Sequence, residues 1–251
     1  MTRDAEVSVG MPEGSVCMKR ANWVGRTGAC TLAVVVSQLA GLAAGDTTPY
    51  QQMPPLAQYL MPAGSEIALA RSAAPAAISD KATVLTLDSH GYQTAVQGTN
   101  GFTCLVERGW MAPFESPDFW NPKIKGPVCY NPAASGSILA YTLRRTKLAL
   151  AGDSKEKILE EIRVAVVRNE LPSPKPGAMS YMMSKDGYLS DADGHWHSHL
   201  MFHVPKVAGA SWGANLPGSP VVLDDRAVPE PQTIFMVPVS RWSDGTTAAA
   251  H

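Results

Sequence analysis

The stretch GHWHSHLMFHVP, residues 194–205, decides how this chain is read. Its ten inner residues run between Gly194 and Pro205, a span short for a helix and ample for a strand. Side chains of a strand alternate between its two faces. His195, His197, His199, Met201 and His203 then share one face, and Trp196, Ser198, Leu200, Phe202 and Val204 the other. A helix would align His195, His199 and His203 but mix Trp196, Leu200 and Phe202 with the polar residues. The alternation favours a strand with one apolar face and one metal-capable face.

Four of the six histidines of the chain lie in these nine residues. Imidazole is a ligand for zinc, copper and nickel. Histidines two apart on a strand have Cα atoms about 7 Å apart, which lets their rings converge on one ion. Three in a row spread too far to share it. His197 and His199 are therefore the central ligand candidates, with His195 or His203 assisting, and a third ligand is expected from elsewhere: His90, Asp88, Asp191, Asp193 or Glu107. Three protein ligands and an open position suit catalytic zinc, which activates water for hydrolysis. The thioether of Met201 on the same face suits copper, because soft sulfur favours Cu(I). The competing readings are a polar strand face without metal and a surface that gains charge as pH falls through the imidazole range.

Working outward, the strand signals accumulate. ATVLTLD (82–88), YQTAVQ and FTCLVER read as strands before the middle of the chain, with SHG as a turn and Asn100-Gly101 as a hairpin signal joining the latter two. AMSYMMS (178–184), PVVLD (220–224) and TIFMVPVSRW (233–242) follow later. Between the two sets lie helices. SGSILAYTLRRTKLALAG places Ile138, Leu139, Thr142 and Leu148 near one face. DSKEKILEEIRVAVVRNELP pairs Asp153 with Glu156 as a cap and carries an apolar stripe of Ile158, Leu159, Ile162 and Val166, with Glu160 and Glu161 on the solvated side and Pro172 as the stop. A shorter helix, EIALARSA, is expected after an N-cap at Ser65 and before Pro75. Strands, helices, then strands again predict an α+β fold: a mainly antiparallel sheet with two to three packing helices in one domain over 65–245. A proline-rich arm over 46–64 precedes it and a disordered tail over 246–251 follows.

The first 45 residues read as an address. From Met18, Lys19, Arg20 and Arg26 precede the apolar run ACTLAVVVSQLAGLAA, and Ala43, Ala44 and Gly45 offer a cleavage site, the layout of a secretory signal peptide over 18–45. Ser37, Gln38 and Gly41 interrupt the run, which argues against a membrane span. Residues 1–17 read as an upstream extension. Removing the leader removes Cys17 and Cys30 and leaves Cys104 and Cys129, an even pair that predicts a disulfide in an exported, periplasmic or extracellular protein. With 45 % hydrophobic and 17 % charged residues the chain is rich enough in apolar residues for a sizeable core. Its net charge of -1 offers no basic field for nucleic acid. The expected partners are a metal ion and a small molecule.

GASWG (209–213) matches the nucleophile pattern around Ser211, but ANLPGSP cannot supply the helix that the motif requires, and the only later histidine is His251. SDADG (190–194) lacks the spacing and the final Glu of a calcium loop. The loop over 109–132 gathers Trp110, Phe114, Phe119 and Trp120. These rings either plug the sheet or wall a ligand pocket. Trp110, Trp120, Met201 and His90 are the pocket candidates of a second reading, a metal-free secreted protein that binds a small ligand or serves a structural role through this loop.

IALARSAAP, GTNGFTCLVERGWM, FWNPKIKGPVCYNP, GHWHSHLMFHVP and SRWSDGT resemble phrases of a group of exported bacterial hypothetical proteins with no established activity. The resemblance spans about residues 50–246. It implies export from a bacterial cell and carries over no functional residue.

Overall fold

The computed structural model describes residues 49–195, 197–223 and 228–248. The expected leader and upstream extension, with Cys17 and Cys30, lie outside these residues, as do Trp196, His251 and the end of the expected tail.

The first two strands, β1 (Thr83–Asp88) and β2 (Gly91–Val96), pair antiparallel across Ser89 and His90, where Gly91 takes φ 113°. The Asn100-Gly101 hairpin is not formed. β3 (Thr103–Glu107) pairs parallel with β1 instead, so β1 separates β2 from β3. A type I′ turn needs positive φ at both central residues. Here Gly101 has φ 76°, whereas Asn100 is not among the residues of positive φ. Asn100 uses its side chain otherwise, donating to the Ile78 carbonyl at 2.8 Å and accepting from Phe102 N at 3.1 Å. The segment crosses the start of β1 so closely that a Cβ on Gly98 would lie 2.1 Å from Thr83 N.

β4 (Gly126–Tyr130), β5 (Met179–Met182), β6 (His199–Val204), β7 (Val222–Leu223) and β8 (Thr233–Pro238) extend the sheet. The order is β2-β1-β3-β4-β5-β6-β8-β7, and every pair except β1–β3 is antiparallel. The mainly antiparallel α+β architecture is as expected.

Helices cover both faces of the first half of the sheet. α1 (Ala63–Arg71), α2 (Ala76–Ser79) and the link between them pack Ala70, Ala73, Ala74 and Ile78 with Val84, Cys104, Val106 and Cys129. On the opposite face α4 (Leu139–Leu150) and α5 (Lys155–Val167) pack Ile138, Tyr141, Ile158 and Ile162 with Leu105, Val128 and Tyr130. A short α3 (Pro132–Ser135), capped by the Asn131 side chain, precedes α4, which is the helix expected over SGSILAYTLRRTKLALAG. α1 starts at Ala63 after Pro62, two residues before the expected cap at Ser65, and α5 is capped by Ser154, which accepts from Lys157 N, rather than by Asp153. The proline-rich arm is no loose cover. Tyr59 is fully buried and donates its hydroxyl to the Trp120 carbonyl at 2.7 Å. Nor are residues 246–248 a free tail: Thr247 bridges Arg241 and Ala248 is buried.

Cys104 and Cys129 stand directly opposite each other on β3 and β4 and form the expected disulfide. Closing a loop of 25 residues adds about 3 kcal/mol on the chain-entropy model. The double variant Cys104→Ala/Cys129→Ala is expected to lose about that much in a urea titration while keeping its circular dichroism spectrum. A loss below about 1 kcal/mol would show that core and sheet hold the strands without the bond. Among the described residues no helix is long and apolar enough to cross a membrane.

Candidate functional site: a cavity over the second half of the sheet

Part of the face of β5, β6 and β8 forms the floor of a cavity of about 710 Å³. Met182 of β5, His199 and Met201 of β6, and Met236 and Pro238 of β8 supply the sheet side. The loop after β3 gives Met111, Pro113, Asp118 and Ile124. Leu189, Asp193, His197 and Ser198 close the other side. A chamber of about 110 Å³ adjoins it, sharing Glu107, Met111, Met182 and Met201 and adding Tyr130, Thr142, Arg145, Ser180, His203, Glu230 and Gln232.

Two buried ion pairs shape this space. Arg108 donates from Nη2 to Glu66 Oε1 at 2.6 Å, from Nε to the Tyr59 carbonyl at 2.9 Å and from Nη1 to the Val106 carbonyl; both side chains of the pair are fully buried. Glu66 also accepts from Leu87 N at 3.2 Å. The pair locks α1, β1 and the end of β3 together where the loop begins. Arg145 of α4 grips Glu230 with two bonds, at 2.6 and 2.9 Å, donates to the Ala112 carbonyl at 3.1 Å and lies 4.3 Å over the Phe114 ring. It fixes the loop wall and the 228–232 segment to one helix. The bidentate fork is the geometry in which a guanidinium holds a carboxylate most firmly.

Glu107, at the end of β3, belongs to both cavities. Its Oε1 accepts from Tyr130 Oη at 2.6 Å and from Thr142 Oγ1 at 3.1 Å. Burial raises its pKa above the ordinary carboxylate value, against the lowering effect of these two hydroxyls and of Arg145. Burial likewise holds the Tyr130 phenol well above its usual value.

The histidine stretch divides. The strand begins only at His199, because β5 and β8 offer ladder partners from there on, at Met182 and Pro238. Gly194 at φ 72° and the His195 N bond to the Asp193 carbonyl at 2.8 Å make a turn of the residues before it. The expected face of five alternating residues is therefore three: His199, Met201 and His203. His203 is a core residue, between Ser180 Oγ at 3.1 Å and Gln232 Oε1 at 3.0 Å, and burial pushes its pKa down to about 4. His195 is exposed, its ring 5.0 Å from that of His197. His197 and His199 both line the cavity, and burial lowers the pKa of His199.

The expected third ligands are scattered. Asp88 and His90 sit at the β1–β2 turn, exposed and far along the strand order. Asp191 is engaged by Tyr188 and Tyr50 hydroxyls and by Lys123, and the bond from Tyr188 leads in holding its carboxyl well below the usual range. Asp193 and Glu107 do line the cavity. Among the described residues no three His, Cys, Asp or Glu side chains converge as a metal site, so the three-ligand zinc arrangement is not assembled.

The aromatic loop borders the cavity with other residues than its rings. Trp110 is fully buried and donates its indole N–H to Thr146 Oγ1 at 3.0 Å. Trp120 is buried against Phe119, edge to face at 4.7 Å, and contributes to a shallow groove elsewhere. These rings form part of the core because both edges of the loop are tied inward by Arg108 and Arg145. Of the pocket candidates, Met201 lines the cavity, while Trp110, Trp120 and His90 do not. Ser211 stands on a 3₁₀ turn, its hydroxyl donating to the Ala208 carbonyl at 2.7 Å, without the strand–helix context of a nucleophile elbow.

The sequence reading missed Met182, Met236, Arg145, Glu230 and the Glu66–Arg108 pair. The methionines carry no local signal, since only the register brings them to β6. The buried charges look like ordinary solvated positions on helices and loops.

Comparison with protein-family models, with curated proteins and with solved structures finds no match. The reading of the site therefore rests on its own residues.

Proposed function

We propose that this chain is an exported protein that binds a small cationic molecule with an apolar body in the cavity over β5, β6 and β8. The observation that carries this is the charge of the lining. Glu107, Asp118 and Asp193 contribute three carboxyl groups; among the described residues no lysine lines the space, and the one guanidinium there, Arg108, is already paired with Glu66. Met111, Met182, Met201, Met236, Ile124 and Leu189 supply the apolar surface. Methionine's unbranched thioether adapts to irregular ligands. A few placed polar groups in a mostly apolar cavity of this size is the usual composition of a small-molecule site. Glu107 is the anchor, since Tyr130 and Thr142 hold its Oε1 in place. Export is supported by the leader pattern in the sequence and by the disulfide, which oxidising compartments preserve.

The test is a calorimetric titration with n-octylamine across pH. Ionised Glu107 pairs with the ammonium; protonated Glu107 does not. The amine itself stays charged throughout the acidic range. Affinity is expected to fall as pH drops through the pKa of Glu107, beginning above the range of an ordinary glutamate because burial raises that pKa. Around Glu107 the other ionisable groups are Tyr130 of β4, Tyr92 of β2, Arg108 and Arg145. Asp118, Asp193, His197 and His199 also line the cavity, so the titration is repeated in Glu107→Gln, where the part of the fall that belongs to this carboxyl is expected to be absent. An affinity independent of pH, or equal uptake of octanoate, would overturn the reading.

A further inference from the structure

The sheet floor of the cavity carries a second feature, independent of its carboxylates. β6 is paired so that His199 stands directly opposite Met182 of β5, and Met201 directly opposite Met236 of β8. Directly opposed residues have Cβ atoms about 4.5–5.5 Å apart, and residues two apart along a strand about 7 Å between Cα atoms. His197 joins from the turn that leads into the strand. All five residues line the one cavity. Two imidazoles and three thioethers thus line one cavity floor, the methionines and His199 in opposed pairs set by strand register.

The tautomer of His199 adds a second, separate observation. Its Nδ1 lies 2.6 Å from the His197 carbonyl oxygen. A carbonyl oxygen only accepts, so Nδ1 carries the proton and donates it, and Nε2 is the lone-pair nitrogen of the neutral ring. Metal-bound imidazoles are held in this way, with one ring N–H on a backbone carbonyl and the other nitrogen toward the metal.

Two features of the donor set choose the metal. Among the described residues no thiolate is at hand, because Cys104 and Cys129 are joined, and no three hard or imidazole donors converge. Thioether sulfur is a poor ligand for zinc and a good one for Cu(I). We propose that His197, His199, Met182, Met201 and Met236 form a Cu(I) site on the cavity floor. The simpler alternative for the methionines is apolar filling. It accounts for Met201 and Met236 facing each other, but not for two imidazoles lying among them with one ring oriented by a backbone carbonyl.

The test uses the full chain without a histidine tag, titrated anaerobically with Cu(I) against the chromophoric competitor bicinchoninate. One equivalent of Cu(I) is expected to be withdrawn from the competitor. Met182→Leu, Met201→Leu and Met236→Leu keep side-chain volume, so the fold is retained. The triple variant is expected to bind Cu(I) at least roughly tenfold more weakly, in line with the loss of ligand or supporting contacts at metal sites. His199→Ala is expected to do the same. Glu107→Gln separates this site from the amine site: it is expected to keep Cu(I) unchanged whether or not amine binding is lost. No copper withdrawn by the unaltered chain, or an unaltered Cu(I) affinity in the folded triple variant, would overturn the site.

Discussion

Arg108→Met is expected to destabilise this protein by about 3–5 kcal/mol, since removing one partner of a buried ion pair leaves the other charge uncompensated. Both side chains of the Glu66–Arg108 pair are fully buried, and Glu66 keeps only the amide of Leu87 as a donor once the guanidinium is gone. The carbonyls of Tyr59 and Val106 lose their donor too. The measurement is a urea titration monitored by circular dichroism. Glu66→Leu/Arg108→Met removes both charges together and is expected to recover a large part of the loss, because apolar replacement of a buried pair is often neutral or better. A loss in the single variant below about 1 kcal/mol would mean that water reaches the pair and that it does not lock the loop to the sheet.

Trp110→Ala is expected to cost about 3–5 kcal/mol as well, the range for truncating a buried aromatic side chain. The ring is fully buried, tilted against Tyr59 with centroids 4.9 Å apart, and its N–H is bonded to Thr146. The same urea titration measures the loss. A pocket wall would behave differently: truncating it would leave stability nearly intact and abolish ligand uptake. A stable Trp110→Ala variant that no longer takes up n-octylamine would therefore return the aromatic loop to the role of ligand wall.

Much of the fold is legible locally. Over 199–203 the alternation of β6 is as the sequence predicts, and the stripe of Ile158, Leu159, Ile162 and Val166 does face the core on α5. The disulfide follows from counting cysteines beyond the expected leader. What fails is what depends on distant partners. Asn100-Gly101 has the composition of a hairpin, yet the parallel pairing of β1 with β3 makes the segment a crossing, and Asn100 spends its amide on that crossing. His195 and His197 have strand-like spacing, but the ladders of β6 with β5 and β8 begin at His199.

The site was half legible for the same reason. His197, His199, Met201, Asp193 and Glu107 were marked by type and position, and all five line the cavity. Met182 and Met236 become neighbours of the histidine strand only through register. Arg145 sits in TLRRTK on α4, a sequence that reads as a solvated face. Its burial follows from Glu230, far along the chain, and from the Phe114 ring beneath it.

The central claim is that the cavity takes a cation against Glu107. A thermodynamic cycle tests it most directly: n-octylamine and n-octanol are titrated calorimetrically into the unaltered chain and into Glu107→Gln at neutral pH. Hydrogen bonds to a charged group contribute about 1.5–3 kcal/mol, so the substitution is expected to weaken amine binding roughly tenfold to a hundredfold while leaving octanol nearly unchanged. Equal effects on the two ligands, or amine binding that survives intact in Glu107→Gln, would contradict the account.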